Sequence, residues 1–252
     1  MFQHGREDRK VCEMNITLIR ATKRNNSSTY NAAKYLISRL HNAEEVYEFT
    51  LPEDMPHICC GCYACLRGDE ERCGGYVYLK PILEAFSKSH LIVFCCPVWC
   101  FHAPGQVKSF LDHFGYRWLV HRPDFDMRNK QALIIATAGG GGMKSAARDI
   151  HDSMDYWGIA RTHVITQAVW QYFWDDMPEK FKVKLIKKLD KAAAKIEKYE
   201  VHLTPSLKSR GLYRLFAHLH RKEKMWPLDD AYWKEKLADG TLEKDKATQG
   251  ER

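Results

Sequence analysis

Two hydrophobic rhythms alternate along this chain: short apolar runs rich in β-branched residues, and longer stretches in which apolar positions recur every three or four residues. The runs MNITLIRAT (14–22), EEVYEFTL (44–51), HLIVFCCPVW (90–99), KQALIIATAGG (130–140) and IARTHVITQAVW (159–170) read as strands. Between them, STYNAAKYLISRLHN (28–42), KPILEAFSKS (80–89), GQVKSFLDHFGYRWL (105–119) and GMKSAARDIHDSMDYWG (142–158) have helical spacing, and the lysine-rich KFKVKLIKKLDKAAAKIEKYE (180–200) follows the last strand. Five strands alternating with helices predict an α/β fold, a doubly wound five-stranded parallel sheet with helices on both faces. The pattern predicts one main domain over 11–200. It weakens near Leu203 into an aromatic and basic helical or irregular extension, 201–252, whose polar end is expected to be disordered. That extension could cover the ligand crevice, clasp a neighbouring subunit or pack on its own domain.

With 252 residues and 45% hydrophobic content, the chain can bury one sizeable core. The opening MFQHGREDRK carries no apolar run and no stretch reaches the length of a membrane span, which predicts a cytoplasmic protein without membrane contact. Nine cysteines in such a chain argue against a secreted disulfide scaffold and leave metal binding, redox chemistry or burial. The net charge of +7 falls largely on the lysine-rich helix, read as a solvated face, and no nucleic-acid-binding motif accompanies it.

In doubly wound sheets ligands sit beyond the carboxyl ends of the strands, where strand order reverses. Three strand ends carry candidate chemistry. The first holds Thr22, Arg24, Asn26, Ser27, Ser28 and Thr29, hydroxyls, an amide and a cation entering a helix, suited either to a phosphate or to an ordinary helix cap. The second, Pro97, Val98, Trp99, Cys100 and Phe101, is an irregular aromatic loop suited to a flat ring or to core packing. The third, Thr137, Ala138, Gly139, Gly140 and Gly141, lets backbone approach a ligand closely.

A fourth stretch, CCGCYACLRGDEERC (59–73), concentrates thiols. Cys59, Cys62, Cys65 and Cys73 follow a C-x2-C-x2-C-x7-C spacing that can wrap a [4Fe–4S] cube, with Cys60 expected to point away from their common target. Zinc fits less well, because structural zinc sites usually pair their ligands in two separated sets. Cys12, Cys95, Cys96 and Cys100 read as small buried hydrophobes, Cys100 near the ring loop.

Together these loops resemble those of the flavodoxin-like NAD(P)H-dependent FMN reductases, and in particular the cysteine-containing branch of iron-sulfur flavoproteins. The resemblance spans roughly residues 14 to 170. It matches Thr22, Arg24, Ser27 and Thr29 to the phosphate loop, Pro97-Val98-Trp99 and Lys108-Ser109-Phe110-Leu111-Asp112 to the isoalloxazine loop, and Thr137-Ala138-Gly139-Gly140 to the Thr-x-Gly-Gly loop. Ala21, Trp99 and His113 depart from the family's glycine, tyrosine and arginine, and an acidic pair usual after the last cysteine is absent from GGYVYLKP. The resemblance implies FMN, with NAD(P)H as electron donor, an unidentified acceptor and a homodimer or homotetramer. It also implies a [4Fe–4S] cluster on the cysteine loop, although relatives that look cluster-free carry nearly the same cysteines. Two other readings fit the same residues: a flavin and iron-sulfur electron-transfer protein without its own NAD(P)H activity, and a zinc- or thiol-based redox-sensing module.

Overall fold

A computed structural model describes residues 13–201, 203–238 and 240. Strands β1 (Met14–Arg20), β2 (Ala43–Thr50), β3 (Leu91–Pro97), β4 (Gln131–Ala138) and β5 (Arg161–Ala168) form one parallel sheet in the order β2-β1-β3-β4-β5. Side chains alternate across a strand, so β3 sends Ile92, Phe94 and Cys96 to one apolar cluster and Leu91, Val93 and Cys95 to the other. Helices α1 (Ser28–Ser38) and α5 (Glu179–Val201) cover the second face. The first face is covered by α2 (Tyr76–Lys88), α3 (Gly105–Asp112) and α4 (Met143–Trp157), around rings of Phe110, Phe114 and Trp157 whose successive centroids lie 4.9 and 4.4 Å apart. This is a doubly wound, flavodoxin-like sheet, and its strand order reverses between β1 and β3. Among the described residues no helix is long and apolar enough to cross a membrane.

Two elements differ from the sequence expectation. Helix α2 starts at Tyr76 rather than near Lys80, and Pro81 lies inside it. Burial of Leu79 beside Ile82 and Phe86 outweighs the hydrogen bond that proline forfeits. The expected helix over 105–119 ends at Asp112, because Phe114 turns into the main core while Leu119 joins a third cluster with Phe125, Tyr213, Phe216 and Trp233. That cluster is built by α6 (Leu207–Arg221) and α7 (Pro227–Ala238), so the extension packs on its own domain as two helices. The expected disorder of its last residues, and the reading of Cys12, lie outside the described residues.

Basic side chains drawn into the fold are hydrogen-bonded there. Lys130, 4% exposed, donates to Ser87 O at 3.1 Å and Ser89 O at 2.9 Å, capping the end of α2, and pairs with Asp126 at 2.5 Å. Lys188 leaves the otherwise solvated lysine face of α5 to donate to Thr166 O at 2.7 Å on β5. His163 on β5 donates Nε2–H to Gln131 Oε1 at 2.9 Å, since the Gln131 amide is committed to Ile196 O.

Burial, helped by Arg161 and Lys195, pushes the His163 pKa down to about 4. The folded value lies below that of the unfolded chain, so between about pH 6.5 and 4 protons prefer the unfolded state and stability falls as pH drops. Urea unfolding should show His163→Gln gaining on the parent by about 2 kcal/mol from pH 7 to pH 4, after discounting for partial exposure. A pH-independent difference would remove His163 as an acid-sensitive group.

Candidate functional site

The exit from β1 is held by Arg20, a residue the sequence reading did not single out. Its side chain is 6% exposed and its Nη1 pairs with Glu48 of β2 at 2.7 Å. Its Nε donates to Thr22 O at 2.8 Å, Nη2 to Asn25 Oδ1 at 3.0 Å, and its guanidinium lies 3.8 Å from the Tyr30 ring centroid. One buried cation therefore shapes the turn that leads into α1. Ser27 caps that helix, its Oγ accepting the Tyr30 N–H at 3.2 Å, and Thr22 Oγ1 accepts the Arg24 N–H at 3.3 Å. The Thr29 and Thr137 hydroxyls share a 2.6 Å hydrogen bond that ties this loop to the end of β4.

The loop after β3 is a tight turn. The Trp99 N–H donates to His102 O at 3.0 Å and the His102 N–H to Trp99 O at 2.9 Å, with Cys100 at φ 48° and Phe101 at φ 66°. Both central residues are left-handed, as in a type I′ hairpin turn, a conformation that costs an L-residue about 1–2 kcal/mol. Asp149 of α4 anchors the turn, accepting the Ala103 N–H at 3.1 Å and facing His102 Nδ1 at 3.2 Å. Cys100, expected to be buried, is exposed because this turn lifts it off the core. Phe101 lies against the glycine run, where a Cβ on Gly142 would stand 2.6 Å from Phe101 Cα.

These loops surround a cavity of about 380 Å³. Arg24, Ser27 and Thr29 line it from the first loop, Pro97, Val98 and Trp99 from the second, and Thr137, Ala138 and Gly139 from the third. A fourth wall, Val169, Gln171 and Tyr172 after β5, was missed in the sequence. It is fastened to the first loop: the Ser28 N–H donates to Tyr172 O at 3.1 Å and the Trp174 N–H to Asn26 O at 2.9 Å. Asn26 and Ser28 thus secure this wall and do not line the cavity, and Thr22, Cys100, Phe101, Gly140 and Gly141 support the loops from outside it. A guanidinium, two hydroxyls and a helix N-terminus suit a phosphate, and the Pro97–Trp99 wall facing glycine-rich backbone suits a planar ring. The donor set fits FMN.

A second cavity, about 340 Å³ and sharing no lining residue with the first, opens at the cysteine loop. Cys59, Cys62, Cys65 and Cys73 all line it. Cys60, exposed, lines it as well, contrary to the expectation that it points away. Burial pushes the Cys65 thiol pKa up, whereas the Ala64 N–H holds that of Cys62 below its usual range. Among the described residues no three of these sulfurs lie within 4.8 Å of one another; His151, Asp152 and Asp155 do bring their ligand atoms that close.

His113 completes the second cavity. Its Nε2 faces His57 O at 3.0 Å; a carbonyl only accepts, so Nε2 carries the proton and Nδ1 presents a lone pair 3.9 Å from Cys73 Sγ. A Cβ on Gly75 would stand 2.6 Å from His113 Cε1, so only glycine admits the ring here. Cys95 and Cys96, by contrast, are buried thiols, and burial pushes the Cys96 pKa up to about 12. They are inert packing groups.

Known proteins share this architecture. The sequence profile described as NADPH-dependent FMN reductase matches residues 14–175. An FMN-dependent NADH:quinone oxidoreductase from Exiguobacterium sp. strain AT1b is 34% identical over 67 residues, 25% of this chain and 32% of that protein, so the match spans about a third of the relative's length. An FMN-dependent NADH-azoreductase from Bacillus anthracis, solved with FMN, superposes with a TM-score of 0.56 at 15% identity, covering 72% of this chain and 99% of that one. An NAD(P)H:quinone oxidoreductase from Methanothermobacter marburgensis gives 0.55 at 14% identity, covering 74% and 98%. At these identities the structural likeness speaks for the fold.

Proposed function

Because the chain belongs to the NADPH-dependent FMN reductase family, we propose that it is an NAD(P)H-dependent FMN oxidoreductase whose flavin occupies the cavity between the loops after β1, β3, β4 and β5. The observation that carries this reading is the convergence of a phosphate-type donor set and an aromatic wall on one cavity at the strand-order reversal. When bound, FMN supplies hydride acceptance from NAD(P)H and electron release singly or in pairs. The chain's residues do the rest. Arg24 neutralises phosphate charge, Ser27 and Thr29 offer hydroxyl donors, and Pro97, Val98 and Trp99 form an apolar wall that keeps water from one side of the ring. Exposed Trp99, Phe101, Trp170 and Tyr172 form an apolar surface at the turn and the fourth wall, which supports assembly of two or more copies of the chain.

A [4Fe–4S] cluster on Cys59, Cys62, Cys65 and Cys73 is the second reading, favoured by the four cysteines lining one cavity. An anaerobic absorbance spectrum with iron and sulfide assay tests both readings, followed by oxidation of NADH and NADPH by the purified protein. The expected result is stoichiometric FMN and steady-state nicotinamide oxidation. FMN without nicotinamide oxidation would make the chain an electron carrier. A colourless preparation that refuses added FMN would leave a thiol- or zinc-based module. FMN without iron and sulfide, after anaerobic reconstitution, would remove the cluster alone.

A further inference from the structure

The cysteine loop is held in place from outside the sheet. Arg122, whose side chain is 10% exposed, follows the third apolar cluster's Leu119 and points its guanidinium into the loop. Nη2 donates to Cys65 O and, at 3.2 Å, to Glu70 Oε1; Nη1 donates to Leu66 O at 3.3 Å. Cys65 and Leu66 belong to a 3-10 turn at Cys65–Arg67, and Glu70 opens the next turn, Glu70–Arg72, which runs directly into Cys73. One guanidinium therefore grips both turns that carry or precede the two thiols, and so sets their separation.

Behind Arg122 stands the C-terminal extension. Asp229, in the first turn of α7 with a side chain 2% exposed, accepts from Arg122 Nη1 at 2.5 Å and faces His121 Nδ1 at 2.8 Å. A desolvated arginine needs such a counter-charge, and the helix N-terminus stabilises the aspartate in turn. The flanking residues are fastened to the same helix: Trp233 Nε1 donates to His121 O at 2.8 Å and the Tyr232 hydroxyl to Pro123 O at 2.6 Å. Leu228 reaches the loop itself, its Cδ2 3.1 Å from where a Cβ on Gly68 would stand. Trp226 lies beside His121, ring centroids 4.7 Å apart.

We propose that Arg122 and Asp229 are positioning residues for the cysteine site, through which the C-terminal extension fixes the thiols of Cys65 and Cys73 around the second cavity. This concerns the loop alone, is independent of what fills the first cavity, and gives the extension a role at the cysteines rather than at the flavin. The flavin loops are anchored separately, by Arg20, Asp149 and the Thr29–Thr137 pair, and none of these touches Arg122.

The test is residue-resolved alkylation of the full chain with iodoacetamide, on parent and variants alike freed of iron by chelator and kept reduced, read by mass spectrometry, with exposed Cys100 as internal reference. Asp229→Asn removes the counter-charge. Arg122→Met with Asp229→Leu removes both buried charges together and so keeps the fold where a lone change risks it. In both variants Cys65 and Cys73 are expected to alkylate about tenfold faster relative to Cys100, amide exchange over 64–73 to quicken, and FMN affinity to stay within about twofold of the parent. Arg122→Lys, which keeps the charge without the fork, should not restore the parent rate. Unchanged relative rates at Cys65 and Cys73 in the double variant would overturn the proposal, as would equal acceleration at Cys100 or full rescue by lysine, since either reports a general packing role.

Discussion

Replacing Arg24 and Ser27 together with alanine is expected to weaken FMN binding by about 2–4 kcal/mol, a rise in Kd of roughly 30- to 1000-fold. Arg24 lines the cavity with an exposed side chain, so its loss removes a charge-assisted contact without disturbing the core. Ser27 is different. It lines the same cavity while its Oγ accepts the Tyr30 N–H, leaving the hydroxyl proton to be donated to a phosphate oxygen. Its replacement also costs the helix cap, worth about 1 kcal/mol of stability. The companion variant Ser27→Asp separates the two effects, because aspartate keeps the cap but sets a negative charge against the phosphate; it should melt like the parent and bind FMN more weakly. Flavin fluorescence titration measures all three, and parent-like affinity in the double variant would remove the phosphate assignment.

The largest stability effect is expected at Gly142. It adopts φ 84°, and an added Cβ would stand 2.6 Å from Phe101 Cα, 2.9 Å from Phe101 C and 2.7 Å from Val98 Cγ1. Backbone atoms cannot rotate away as a side-chain tip can. Alanine there should cost ~3 kcal/mol or more, combining left-handed strain with a forced shift of the loop after β3. Thermal melting and FMN titration should both register it, since Val98 is displaced from the cavity wall. A Gly142→Ala variant that melts and binds like the parent would mean that the turn after β3 does not pack on the glycine run.

How legible was this in the sequence? The five strands were: β1, β3 and β4 are apolar runs buried on both faces, and the half-exposed edge strands β2 and β5 still stand out by their β-branched and aromatic residues between helical stretches. The fourth wall was not, although the strand-end rule pointed to it: WQYFW carries no motif of its own, and it is the Ser28 N–H bonded to Tyr172 O and the Trp174 N–H bonded to Asn26 O that bring it to the cavity. Arg20 escaped for a related reason, since a charge at the end of an apolar strand gives no hint of the carbonyl and amide it will organise. The break in the helix expected over 105–119 depended on Phe114 and Leu119 facing different clusters, and that divergence exists only once the extension is folded. Cys60 was expected to point away because it falls outside the C-x2-C-x2-C-x7-C spacing, and spacing says nothing of how a loop with left-handed Gly61, Tyr63 and Gly68 sets all five cysteines along one cavity.

The turn at Cys100 and Phe101 sets two aims against each other. Selection for heat resistance would favour glycine at both positions, where the left-handed backbone is free of penalty. Glycine at 101 would also delete the ring that lies on the glycine run and so loosen the Val98–Trp99 wall. The chain keeps two side chains in an unfavourable conformation at the rim of its cavity, and a more robust relative would be expected to trade away rigidity of that cavity wall before it changed anything in the sheet.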